Sequence, residues 1–196
     1  MKEIIIRCKL GEKDAFQELF SSIEKDALAT AYLISGNRGI AEDILQETYI
    51  KCIKEIKSLK SHEAFKVWFF RILVRTGWKM CKKHSSLIPI DITDEKEISF
   101  YDIKSITENA FDCLETKEII KSAVNNLSPN LKTVIVLYYF NDMTIEEIAK
   151  VLGCLKNTVK SRLFYGRNAL KKELGGYFTD ETDFSPIERK ECSEIV

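Results

Sequence analysis

Apolar side chains recur at helical spacing through most of this chain. Phe16, Leu19, Phe20, Ile23, Ala27, Leu28 and Ala31 form one stripe, which Ser35-Gly36-Asn37 interrupts. A second stripe runs through Ile40, Ile44, Leu45, Tyr49, Cys52, Ile53 and Ile56. Beyond a polar loop at 58–61, the pattern predicts a third helix over about 64–83. Three helices with short connections suffice for a compact bundle. From 85 the periodicity fades and Pro89 blocks any helix. There Asp91, Asp94, Glu95, Glu97, Asp102, Glu108 and Asp112 outnumber Lys96 and Lys104, which predicts an acidic linker.

Helical periodicity then returns over about 114–125. Ser128-Pro129 supplies an N-cap with proline at the first helical position, opening a helix through Tyr139. Thr144-Ile-Glu-Glu147 is a capping-box sequence, and Gly153 suits the end of the helix it opens. The last helix runs from about 156 to 174, and a second acidic stretch follows it. The predicted fold is all-α: two small helical domains at 1–84 and 112–174, a flexible acidic linker at 85–111, and an acidic tail at 175–196. The first domain is expected to be a bundle of three or four helices.

Composition narrows the possibilities. Eight Gly and three Pro in 196 residues are too few for a turn-rich all-β fold. The longest apolar run, Val134 to Phe140, falls far short of the ~20 residues of a membrane span. The first ten residues lack the apolar core and cleavage site of a signal peptide. Six cysteines with no Cys-x-x-Cys pair then predict reduced thiols in a cytoplasmic protein without membrane insertion. Thirty basic and thirty acidic side chains cancel, which by itself counts against a phosphate-binding surface.

The distribution of charge reverses that impression. Residues 65–84 carry Lys66, Arg71, Arg75, Lys79, Lys82 and Lys83 with no acid, interleaved with Trp68, Phe69, Phe70 and Trp78. Cations track a phosphate backbone and aromatic faces stack on unpaired bases. The same rings can equally fill a small core. Residues 144–163 read as a helix-turn-helix, with Ile145, Ile148, Ala149, Leu152, Val159 and Leu163 facing inward and Gly153 at the turn. Its second helix carries Lys156, Lys160, Arg162, Arg167, Lys171 and Lys172 before the first acid at Glu173. Such a helix fits a major groove, and its plain alternative is a solvated basic helix. Asp43, Gln46 and Glu47 share one helix face, a polar stripe that demands neither metal nor catalysis. Cys81, His84 and His62 are too few for a structural zinc site, so no metal, cofactor or enzymatic centre is expected.

Taken together and in this order, the motifs resemble the sigma-70 family of bacterial RNA polymerase sigma factors. Within it they resemble the minimal extracytoplasmic-function group, which keeps only the second and fourth sigma domains. The resemblance covers about 10–84 and 112–174. It implies that Asp43, Gln46 and Glu47 dock on the clamp helices of the polymerase largest subunit. It implies that Lys60, Ser61 and His62 belong to the loop reading a flipped −10 base. Trp68, Arg71, Arg75, Lys79 and Lys82 would then hold the opened strand. Lys156, Thr158, Lys160, Ser161, Arg162, Phe164 and Arg167 would face −35 DNA. Implied partners are core RNA polymerase (the flap of the second-largest subunit included), promoter DNA and, as a further candidate, an anti-sigma protein.

Three features depart from the family pattern. Leu155 stands where a Ser or Pro usually opens the recognition helix, Tyr165 where a basic residue is usual, and the tail is long. The competing reading is a different helix-turn-helix regulator, for instance a response-regulator-type activator. It would require a βα receiver domain that the helical amino-terminal half does not suggest.

Overall fold

Short capping motifs mark where several helices begin and end. The computed structural model describes residues 1–85 and 114–175, and all regular structure among them is helical. The amino-terminal unit holds α1 (Lys2–Leu10), α2 (Lys13–Ser21), α3 (Glu24–Ser35), α4 (Arg38–Glu55) and α5 (Phe65–Ser85). The carboxy-terminal unit holds α6 (Leu114–Asn125), α7 (Pro129–Ile135), α8 (Ile145–Leu152) and α9 (Lys156–Leu174). Asn37 caps α4 by accepting the Ile40 amide at 3.0 Å. The capping box of α8 forms in both directions. Thr144 Oγ1 accepts from the Glu147 amide at 3.2 Å, and the Thr144 amide donates to Glu147 Oε2 at 2.9 Å.

The predicted two-unit all-α architecture is present, with two differences in the first unit. The stripe from Phe16 to Ala31 is two helices, broken at Ser22-Ile23. The apolar patch at the start of the chain is itself α1, burying Ile5 and Cys8. Helices α3, α4 and α5 pack against one another as the bundle, and α1 packs with α2 beside it. Ile53, on the predicted buried stripe, is exposed. The eighteen residues of α4 cannot all face inward, and Ile44, Leu45, Thr48 and Cys52 already occupy that side. The predicted linker and acidic tail lie outside the described residues.

In the second unit, α7 continues into one π turn at Val136–Phe140, in which the Asn141 amide donates to the Val136 carbonyl at 3.2 Å. Asp142 follows with a φ of 48°, a left-handed conformation that aspartate tolerates better than most side chains. Helices α8 and α9 form the helix-turn-helix, with Gly153 left-handed at the turn (φ 67°). Ser128 makes no side-chain cap, so Pro129 alone opens α7. The two units do not stand apart. Buried side chains from both form one continuous apolar core, with α3 and α5 of the first facing α7, the π turn and α8 of the second.

Helix α9 crosses α7 at Gly166, where an added Cβ would lie 2.9 Å from Ile135 Cγ1. In Gly166→Ala the crowding, about 1–3 kcal/mol, outweighs a helix-propensity gain of about 1 kcal/mol. The expected result in a thermal melt is a Tm several degrees lower. An unchanged or higher Tm would show that the crossing yields without cost.

Candidate polymerase and nucleic-acid interfaces

The candidate docking face lies on α4. Asp43 and Gln46 are exposed, and half-buried Glu47 pairs with Lys51 at 3.3 Å. Lys51 also donates to Thr76 Oγ1 of α5 at 2.9 Å, so the neighbour of Glu47 is fixed from behind. Ile50 and Ile53, both about half exposed (47% and 48%), continue the same face one and two turns on. The structure therefore turns the polar stripe into a mixed polar and apolar face. Its apolar half was legible only as excess apolar residues on one helix.

The loop before α5 is held in place by its first residue. Leu59 is buried, and its carbonyl accepts from Lys9 Nζ at 2.5 Å. Beyond it Lys60 is exposed, and Ser61 and His62 are half-buried. Ser61 Oγ accepts from the Glu63 amide at 3.3 Å, and His62 Nε2 lies 3.8 Å from Glu63 Oε1.

On α5 the aromatics divide. Phe65, Phe69 and Phe70 are core, with Phe69 edge-on to Phe70 at 5.5 Å. Trp68 is half-buried, tilted against Phe65 at 6.1 Å. Phe69 also meets Tyr49, whose ring stacks on Phe20 at 4.0 Å. The buried Tyr49 hydroxyl has no hydrogen-bond partner, and burial raises its pKa. Cys52, behind the docking face, is pushed up to about 12 by burial and is an unreactive core thiol.

The basic face of α5 is not uniformly open to solvent. Arg71 donates from Nε and Nη2 to the Lys150 carbonyl at the end of α8, at 3.0 and 2.5 Å. Lys66 donates to the Asn141 carbonyl at 2.6 Å. The Arg75 guanidinium lies beside Gly153, at the helix-turn-helix turn. Trp78 Nε1 donates to Thr133 Oγ1 at 3.1 Å. Lys79 and Lys82 remain exposed. Of the predicted −10 residues, those nearest the middle of α5 thus face the other unit.

On α9, Leu155 is the N-cap residue and makes no side-chain cap, as its identity predicts. The amides of Thr158 and Val159 donate instead to its carbonyl. Lys156 pairs with Glu146 at 2.6 Å, which holds that carboxyl below its usual range. Ser161 Oγ donates to the Asn157 carbonyl at 3.0 Å. Thr158, Lys160 and Arg162 are half-buried. Arg167 lies over the rings of Tyr138 and Tyr139, 5.8 Å from each centroid, so it packs onto its own domain.

The exposed ridge of α9 is Asn157, Ser161, Phe164, Tyr165 and Asn168. Phe164 and Tyr165 are 58% and 62% exposed and meet edge to face. Asn157, Tyr165 and Asn168 were missed by counting cations. Their spacing of three and four residues from Ser161 and Phe164 was the available signal. No group of three or more metal-ligating side chains is gathered among the described residues, and no described helix is long and apolar enough to cross a membrane.

Comparison with known proteins follows the same division of the chain. The family described as Sigma-70 region 2 matches residues 19–86, and Sigma-70, region 4, matches 117–170. The chain is 28% identical over 180 residues to the ECF RNA polymerase sigma factor SigW of Bacillus subtilis, covering 89% of this chain and 96% of that one. It is 27% identical over 179 residues to the ECF RNA polymerase sigma-E factor of Haemophilus influenzae, covering 87% and 93%. Its fold is similar to that of the sigma factor RpoE, solved with the anti-sigma factor NepR from Bartonella quintana. That match has a TM-score of 0.66 at 22% identity and covers 85% of this chain and all of that one.

Phe69 and Phe164 are opposite cases of an aromatic in a basic helix. Phe164→Ala should leave the melting temperature almost unchanged, a surface change within about 0.5 kcal/mol. Phe69→Ala should cost about 3–5 kcal/mol. Denaturant titration of the two variants checks this, and equal losses would contradict the assignment.

Proposed function

The chain belongs to the sigma-70 family, in its extracytoplasmic-function group, and from that premise we propose how its surfaces divide the work of transcription initiation. As a member it is a non-enzymatic RNA polymerase sigma factor, a protein that binds core polymerase and promoter DNA. The face of α4 bearing Asp43, Gln46 and Glu47 docks on the clamp helices of the polymerase largest subunit. Ile50 and Ile53 supply the apolar part of that contact, since exposed apolar side chains beside polar ones suit an interface centre. The second unit lies against the flap of the second-largest subunit.

Recognition of the −10 element falls to Lys60, Ser61, His62, Trp68, Arg71, Arg75, Lys79 and Lys82. Unstacking a base costs a few kcal/mol, and binding the base outside the duplex offsets it. The loop from Lys60 to His62 supplies polar edges, and the exposed cations of α5 supply the backbone contacts. Recognition of the −35 element falls to the ridge of α9, with Lys156, Lys160 and Arg162 on phosphates and Ser161 and Phe164 toward bases. Arg167 acts by holding α9 against Tyr138 and Tyr139. An anti-sigma protein is a further proposed partner, supported by the likeness to the RpoE fold.

The observation that carries this reading is the helix-turn-helix with an exposed α9 ridge in the same chain as a basic aromatic helix and the α4 face. With core polymerase and genomic DNA, the protein should yield run-off transcripts from defined start sites. Asp43→Lys should weaken core binding at least tenfold without altering the −35 contact. Arg162→Ala should weaken −35 binding and lower its salt slope by about 1. The reverse pattern would overturn the assignment of the two surfaces.

A further inference from the structure

The loop that leads into α5 is fixed at its upstream end by the first helix of the chain. Half-buried Lys9 of α1 donates from Nζ to the Leu59 carbonyl at 2.5 Å, across a separation of 50 residues. An ammonium donor makes such a bond shorter and roughly twice as strong as a neutral one. The Leu59 side chain is buried, and its amide donates to the Ile56 carbonyl at 3.1 Å. Amide, side chain and carbonyl of this one residue are therefore all engaged. Together they set the direction of the peptide that leads to Lys60.

The donor is itself held. Helix α1 buries Ile5 and Cys8 and packs against the 3-10 turn Ile56–Ser58 that precedes the loop. Arg7 of the same helix reaches Glu12 at 2.8 Å and Glu18 of α2 at 3.1 Å. At the downstream end the Ala64 amide donates to the Ser61 carbonyl at 3.2 Å, and the Phe65 amide to the His62 carbonyl at 3.1 Å. Only Lys60, Ser61 and His62 lie between Leu59 and the segment that enters α5. So short a stretch has few soft torsions with which to absorb a rotated Leu59 peptide. The rotation passes instead to the side chains of Ser61 and His62.

We propose that Lys9 is a positioning residue for base selection at the −10 element. It fixes the Leu59 peptide, and through it the placement of Ser61 and His62, without touching DNA. The proposal rests on the reading of this loop as the one that takes the flipped base. Hydrogen bonds weaken steeply as their angles depart from linear, so a loop free to rotate binds different bases more nearly alike. Loss of Lys9 therefore shows as loss of choice between bases, with the phosphate contacts of α5 intact.

The test uses holoenzyme made from core polymerase and the full chain. Its probes are single-stranded oligonucleotides carrying the −10 segment of the promoter with the strongest run-off transcript. Each base is replaced in turn by the other three or by an abasic site. At the position that the unmodified holoenzyme discriminates most, Lys9→Met should cut the affinity ratio between preferred and other bases about fivefold. Affinity for the abasic oligonucleotide should stay within about twofold, with the same salt slope. Lys9→Arg keeps a charged donor and should hold the ratio within about twofold of the original. Molecules that do not fold bind no probe, so a lysine that only stabilised the fold would leave the ratio unchanged. An unchanged ratio overturns the proposal. Should Lys9→Met not fold, the same ratio measured on the neutral, shorter Lys9→Gln decides. Weaker abasic binding with a smaller salt slope would place Lys9 on a phosphate and also overturn it. An unmodified holoenzyme without preference at any −10 base would overturn the functional reading together with this proposal, whereas an unchanged ratio in the variants overturns the proposal alone.

Discussion

The packing of α5 is the constraint on which the rest of the molecule depends. One side of this helix, through Phe65, Phe69, Phe70, Leu73 and Val74, fills the amino-terminal bundle. The other meets the π turn and α8 of the second unit. A helix used on both sides leaves only a strip of exposed residues, among them Arg75, Lys79 and Lys82. Every surface of interest is positioned relative to it. The α4 face bearing Asp43, Gln46 and Glu47 is fixed from behind by Lys51 on Thr76, and the helix-turn-helix is seated by Arg71 on the end of α8. The loop from Lys60 to His62 leads directly into its first turn.

Cations at this joint act as donors to carbonyls rather than as partners of carboxylates. The exposed carbonyls at a helix end carry a partial negative charge, so Arg71 at the end of α8 is favourable without a buried acid. Such a contact is weaker and more exchangeable than a buried ion pair, because the cation loses little on returning to water or moving to phosphate. Lys132, half-buried near Cys81, has its pKa lowered by that burial. The zero net charge of the chain is accordingly a sum over segments of opposite sign. It gives no guide to the local field on α5 or α9.

Much of the second unit was legible because its signals are local. The capping box at Thr144, the glycine at 153 and the apolar positions of α8 act over a few residues and formed as their spacing predicts. The uncapped start of α9 at Leu155 was legible for the same reason. The first unit was harder. Nothing in the apolar spacing marks the break at Ser22-Ile23, where a turn interrupts without glycine or proline. The exposure of Ile53 depends on which side of α4 its neighbours cover. Arg167 looked like one more cation of a basic helix, yet its place over two tyrosines depends on the crossing of α9 with the helix before it.

Sequence alone determined the helical class, the division into two units and the family resemblance. Those follow from periodicity and short motifs, which are set by backbone geometry within a turn or two of helix. Only the tertiary structure decided that the two units share one core and that Asn141 is buried against Thr30, 111 residues away in the chain. It also decided that Lys66 and Arg71 donate to backbone carbonyls of the second unit. The physical reason is range. A hydrogen bond across so long a separation leaves no mark on local spacing, and a lysine that tracks phosphate is written the same way as a lysine that holds two domains together.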